Sequence, residues 1–117
     1  MKLRQLTDTL GASVHTCESR LDAVIDSVYA GDRISDMLAH ASETTLVVTN
    51  LTGEQLVRVA QLMDIPAICL VQGTTPDPEM KRQAEKLHKV LLTSPFDLFE
   101  TCGRIYQCLQ ESGAARP

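Results

Sequence analysis

Tryptophan is absent from this chain, and its aromatic residues amount to 3%, namely Tyr29, Phe96, Phe99 and Tyr106. Proteins that hold single-stranded nucleic acid stack bases on aromatic platforms, and this chain is too poor in rings to build one. An excess of positive charge is also missing: 11 Lys and Arg stand against 15 Asp and Glu, a formal net charge of -4. A surface of that sign repels a phosphate backbone, which excludes nucleic acid as a partner. No apolar run is long enough to span a bilayer. The opening Met1-Lys2-Leu3-Arg4 interrupts its apolar residues with charge, so neither a signal-peptide core nor membrane attachment is expected, and a cytoplasmic location is.

Signatures of chemistry are missing too. The chain contains no Gly-x-x-x-x-Gly-Lys-Ser/Thr phosphate loop, no Gly-x-Gly-x-x-Gly and no Gly-x-Ser-x-Gly. His15, His40 and His88 are scattered, and the latter two fall toward helix C-termini, where an imidazole suits the helix dipole. His15-x-Cys17 would place two ligands on one side of a strand, but a zinc site needs three or four, so no metal and no cofactor are expected. Cys17, Cys69, Cys102 and Cys108 lack both secretory context and zinc-ribbon spacing. Cys69, inside Ala67-Ile68-Cys69-Leu70-Val71, reads as a small buried hydrophobe, and Cys102 as a core residue of the last helix.

What is present is the pattern of one α/β domain. At 117 residues the chain is too short to bury two cores. Leu3, Leu6 and Leu10 recur at helical spacing before Gly11, and strands are expected at 12–16 and 23–30. Ile34, Met37, Leu38 and Ala41 share a second helical face, with Asp32 placed as its N-cap. Thr45–Thr49, Ala67–Val71 and Val90–Leu92 are continuous apolar runs, as strands covered on both faces must be. Their helices open at Thr52 with Gln55 as a capping box, at Pro76-Asp77-Pro78-Glu79 and at Ser94-Pro95-Phe96-Asp97. The last helix is expected to turn Phe96, Phe99, Cys102, Tyr106 and Leu109 inward. Alternating strands and helices imply a three-layer domain with a mainly parallel sheet and helices on both faces, spanning residues 1–110, with 111–117 a flexible tail.

In such a sheet the loops from strand to helix gather at the carboxyl edge. Four qualify: Gly31-Asp32-Arg33, Thr49-Asn50-Leu51-Thr52-Gly53, Gln72-Gly73-Thr74-Thr75, and Thr93-Ser94. Helix-start N–H groups, permissive glycines and hydroxyls favour a small anion such as a phosphate or carboxylate. The ligand-binding set is therefore Gly31, Asp32, Arg33, Asn50, Thr52, Gln72, Gly73, Thr74 and Ser94. Asp32, Thr52 and Ser94 have a competing use as helix caps, and Arg33 could pair with Asp36 instead of gripping an anion.

Gly31-Asp32-Arg33 and Leu70-Val71-Gln72-Gly73-Thr74-Thr75-Pro76 resemble the DRTGG domain, and the amino-terminal domain of HPr kinase/phosphorylase. Lys2-Leu3-Arg4-Gln5-Leu6, Asp64-Ile65-Pro66-Ala67, Thr93-Ser94-Pro95-Phe96-Asp97 and Gly103-Arg104-Ile105-Tyr106 extend the likeness over residues 1 to 110. Where the signature has Thr-Gly-Gly this chain has Val71-Gln72-Gly73, so only Gly73 carries over. The resemblance implies the HPr kinase amino-terminal fold without kinase activity, since that family's phosphate loop lies in a second domain. It implies a regulatory or ligand-sensing module. Size and Gly103, which would let a last helix approach another closely, point to a homodimer. An accessory subunit with a protein partner is the alternative, and a small phosphoryl-transfer enzyme using Asp32, Arg33 and the Gly73 loop a further one.

Overall fold

The computed structural model describes residues 1–113. Leu3, Leu6, Thr7 and Leu10 form the buried stripe of α1 (Leu3–Leu10), which ends at Gly11. β1 (Ser13–Val14) follows, and Thr16 finishes its pairing by side chain: the Thr16 hydroxyl donates to the Lys89 carbonyl at 2.7 Å and accepts from the Leu91 N–H at 2.9 Å. The strand expected over 23–30 shortens to β2 (Ser27–Ala30). Its first half is drawn to the chain's start instead, where Leu3 and Arg4 N–H groups bond the Ala23 and Leu21 carbonyls and Ile25 N–H bonds the Met1 carbonyl.

The remaining elements are α2 (Ile34–His40), β3 (Thr45–Thr49), α3 (Glu54–Leu62), β4 (Ala67–Leu70), α4 (Pro78–Lys86), β5 (Val90–Thr93) and α5 (Leu98–Ser112). Sheet order is β1-β5-β4-β3-β2, with β2 to β5 parallel and β1 antiparallel at the edge. Every residue of β3, β4 and β5 is buried, because both sides are covered. Val47, Ile68 and Leu91 meet Met37, Leu56, Ala60 and Met80 of α2, α3 and α4 on one face. Leu46, Val48, Cys69 and Leu92 meet Leu3, Leu6, Ile105 and Leu109 of α1 and α5 on the other. The α/β architecture with helices on both faces is thus as the periodicity indicated.

Three helix starts differ from the sequence reading. Arg33, not Asp32, is the N-cap of α2, and Gly53, not Thr52, that of α3; neither makes a side-chain cap bond. Asp97 caps α5 by accepting from the Glu100 N–H at 2.8 Å, which leaves Ser94 outside the helix. The inward face of α5 is also rotated from expectation. Leu109 is buried as expected, but its companions are Thr101 and Ile105, while Phe99 is 88% and Tyr106 65% exposed. The displacement follows from Thr101, whose hydroxyl is satisfied in the interior by Ser94 Oγ at 2.8 Å and the Phe96 carbonyl at 3.2 Å. Glu111 and Ser112 belong to α5 rather than to a tail, and 114–117 lie outside the described residues.

Replacing fully buried Leu6 by alanine is expected to lower the unfolding free energy by about 2–5 kcal/mol. Urea denaturation measures it, and a loss within the range of a surface substitution would show that α1 is not part of the core.

Candidate functional site

All four sequence-predicted loops follow parallel strands, so they share the carboxyl edge. They do not share one crevice. Winding from β2 through β5 proceeds in one direction, which keeps α2, α3 and α4 on a single face. Only after β5 does the chain cross to the other face, into α5. Loops of adjacent strands that leave toward opposite faces open a gap between them, and here those strands are β4 and β5. A cavity of about 230 Å³ lies there, lined by Gly11, Ser13, His15, Gly73, Thr74, Thr75, Thr93 and Pro95.

Of the expected ligand residues Gly73 and Thr74 line this cavity, whereas Gly31, Asp32, Arg33, Asn50 and Thr52 sit over β2 and β3. The β2 loop is two strand spacings, roughly 10 Å, from that of β4. Arg33 is 74% exposed and lies 3.9 Å from Asp36, the surface pairing that competed with an anion grip. Gly31 is held to glycine by its φ of 154°, which L side chains rarely adopt, and a Cβ there would also have to displace the Tyr29 hydroxyl at 2.8 Å. The assembly of Asp32, Arg33 and Gly73 that phosphoryl transfer would need is not formed.

Backbone amides are committed elsewhere. Gln72 and Gly73 adopt left-handed backbone, with φ of 58° and 64°. This turn directs their N–H groups to the Phe96 and Ser94 carbonyls at 2.7 and 2.9 Å, tying the β4 and β5 loops together. Gly31 N–H is taken by the Val48 carbonyl and Thr74 N–H by that of Val71. Ser94 is fully buried and its hydroxyl engages Thr101 and the Phe96 N–H, so it is withdrawn from the ligand set.

Side chains supply the polarity instead. Thr93 Oγ1 donates to the Thr74 carbonyl at 2.9 Å and lies 2.8 Å from His15 Nε2. Having given its proton to Thr74, the Thr93 hydroxyl must accept from His15, which puts the ring proton on Nε2 and leaves Nδ1 an acceptor. Burial, and then the Lys81 ammonium, push the His15 imidazole below its ordinary value. His15, Ser13 and Thr93 were absent from the sequence-derived ligand set. The alternation of Ser13 and His15 in a predicted strand was a signal, but nothing in the chain order says that β1 lies antiparallel beside β5.

Three cysteines are poor nucleophiles: burial pushes Cys69 up to about 12 and also raises Cys102, and burial followed by Glu85 raises Cys17. Among the described residues no three His, Cys, Asp or Glu side chains are grouped to hold a metal, and no helix is long and apolar enough to cross a membrane.

A three-layer α/β domain whose parallel sheet winds one way and reverses at its last strand, with a small polar crevice at the reversal, is the class these observations define. The chain belongs to the DRTGG domain family, which matches residues 5–108. Its fold is similar to the crystal structure of the CBS and DRTGG domains of the regulatory region of Clostridium perfringens pyrophosphatase, complexed with the activator diadenosine tetraphosphate. The TM-score is 0.71 at 20% identity, over 91% of this chain and 46% of that one. This chain thus spans about half of that regulatory region. No curated protein gives a significant sequence match.

Because a depressed histidine pKa means that the unfolded chain binds the proton more readily, stability should be full above about 6.5 and fall as the pH drops toward the folded value. Proton NMR should show His15 titrating below about 6.5. A value above it, or stability rising on acidification through that window in the wild type but not in His15→Gln, would contradict the assigned environment.

Proposed function

We propose that this DRTGG-family chain is a non-catalytic regulatory module that senses a small anionic ligand at the carboxyl edge of its sheet. The observation that carries the reading is the β4/β5 crevice, where loops diverge to opposite faces around Gly73, Thr74, Thr93 and His15. At about 230 Å³ it suits a phosphate or carboxylate group rather than a whole drug-sized molecule. Gln72 flanks it, and Asp32, Arg33, Asn50 and Thr52 form a more distant polar rim that an elongated ligand would reach. The similar regulatory region was crystallised with a nucleotide activator, which supports a ligand-responsive role for a chain of this fold.

A thermal-shift screen against nucleotides and phosphorylated metabolites tests the proposal. At a ligand concentration near 100 Kd, mass action contributes about 2.7 kcal/mol, or a rise in midpoint on the order of 10 °C for a domain this size. Thr74→Val should lessen the shift, and Arg33→Ala should do so only for ligands long enough to span two strands. No stabilisation by any compound would overturn the sensing role.

The partner in this reading is a second copy, docked on α5. Val28, Ala30, Leu98, Phe99, Gly103 and Tyr106 border an apolar groove of about 720 Å³ between α5 and edge strand β2. A Cβ on Gly103 would meet no atom within 4 Å, so its missing side chain leaves open space on the outer face of the helix rather than fitting it to its own sheet. Two such faces related by a two-fold axis would cross at Gly103 and set the exposed Phe99 of each against the other's apolar groove. Sedimentation at micromolar concentration should give a dimer, and Phe99→Glu with Tyr106→Glu a folded monomer. A monomeric wild type would remove the claim.

A further inference from the structure

The crevice has a wall without fixed positive charge. Its lining brings the amides of Gly11, Gly73 and Thr74, and each already bonds a carbonyl, that of Asp8, Ser94 and Val71 respectively. The Thr74 hydroxyl donates to the Val71 carbonyl at 2.6 Å and the Thr93 hydroxyl to the Thr74 carbonyl. Ser13 and Thr75 are exposed and add neutral hydroxyls. Among the described residues lining the cavity none is Lys or Arg, so His15 is the one that can carry positive charge to an anion there.

The hydrogen bonds around His15 let that charge come and go without rearrangement. Nε2 donates to Thr93 Oγ1 in the neutral ring and in the imidazolium alike, because Thr93 has spent its own proton on Thr74. Protonation therefore adds a proton at Nδ1 and breaks neither bond. The titratable and charged groups facing the ring are Cys17 and Glu18 of its own segment and Lys81, Arg82, Glu85 and Lys86 of α4, while the parts of β5 and of the β4–α4 loop that line the crevice carry none. Arg82 is paired with Glu79, and the three cations are matched by Glu18, Glu79 and Glu85, so the α4 side holds no net charge that would draw an anion.

We infer that the crevice is a proton-linked anion site, in which a phosphate-like group binds together with one proton held by the His15 imidazole. The inference rests on the sensing role proposed above and gives it a dependence on pH. One proton passes from solvent to Nδ1, the ring becomes a cation, and the anion is its counter-ion. Burial and then the Lys81 ammonium disfavour that cation in the ligand-free protein, and an anion in the crevice reverses the preference. Proton and anion then strengthen each other's binding by the same factor.

The test is NMR titration of the intact chain with inorganic sulfate at a series of pH values. Sulfate is a tetrahedral dianion that does not itself titrate near neutrality, so any pH dependence belongs to the protein. It should move the Gly73–Thr75 amides and the His15 ring, and raise the His15 pKa. Between the pKa of the free ring and that of the complex, its affinity should fall about tenfold for each unit of rising pH. His15→Gln, which keeps a donor for Thr93 but cannot titrate, should hold sulfate only as weakly as the wild type does at alkaline pH, with no such slope. A slope that persists in His15→Gln, as protonation of Glu18 or Glu85 would produce, or a wild-type affinity independent of pH, would overturn this inference and leave the crevice reading intact. Sulfate that moves none of these signals at any pH would overturn it too, while the sensing role itself stands or falls on the midpoint screen.

Discussion

Burial of β3, β4 and β5 on both faces is the constraint from which the rest follows. Strands covered on both sides can leave no backbone or hydroxyl group unpaired, and among the described residues no buried side-chain nitrogen or oxygen lacks a partner. They also require helices above and below. Three crossovers in one direction place three helices on one face, so the other must be closed by α1 and α5. α1 lies on that face from the start, the chain returns to it after β5, and the crevice is the by-product of that return.

The same closure explains the chemistry left at the edge. The reversing loop is anchored by the Gln72 and Gly73 amides and by the Ser94–Thr101 hydroxyl pair, which removes from the site the groups a helix-start anion site would use. What remains at the crevice are Thr93 of β5, His15 just beyond β1, and Thr74, whose carbonyl accepts from Thr93 and whose hydroxyl donates to the Val71 carbonyl at 2.6 Å. The second face is covered less completely than the first, because two helices shield five strands. The groove over β2 and the exposed Phe99 and Tyr106 follow from that shortfall.

Much of the architecture was legible in the residues. Leu3, Leu6 and Leu10, the three apolar runs and Pro78 at the first turn of α4 each carry a local signal that tertiary structure did not override. The errors share a cause. Thr52 and Ser94 compete with Gly53 and Asp97, good caps close by, and at α2 the helix starts from Arg33 with no cap bond at all, because a cap is worth less than the energy of docking a helix. On α5 the apolar residues encircle the helix, so periodicity alone found Leu109 but could not choose between Phe99 with Tyr106 and Thr101 with Ile105 for the rest of the inward face.

By itself the sequence determined the alternation of strand and helix, the double-sided burial of the central strands, the family and the edge on which loops gather, since these depend on local spacing and composition. Tertiary structure alone decided which loops stand side by side. Strand order put β1 against β5, separated Arg33 from Gly73 and brought His15 to Thr93 across 78 positions of chain. The physical reason is that a local pattern reports how many faces of a segment are covered, while the neighbour that covers them is selected by packing among segments far apart in sequence.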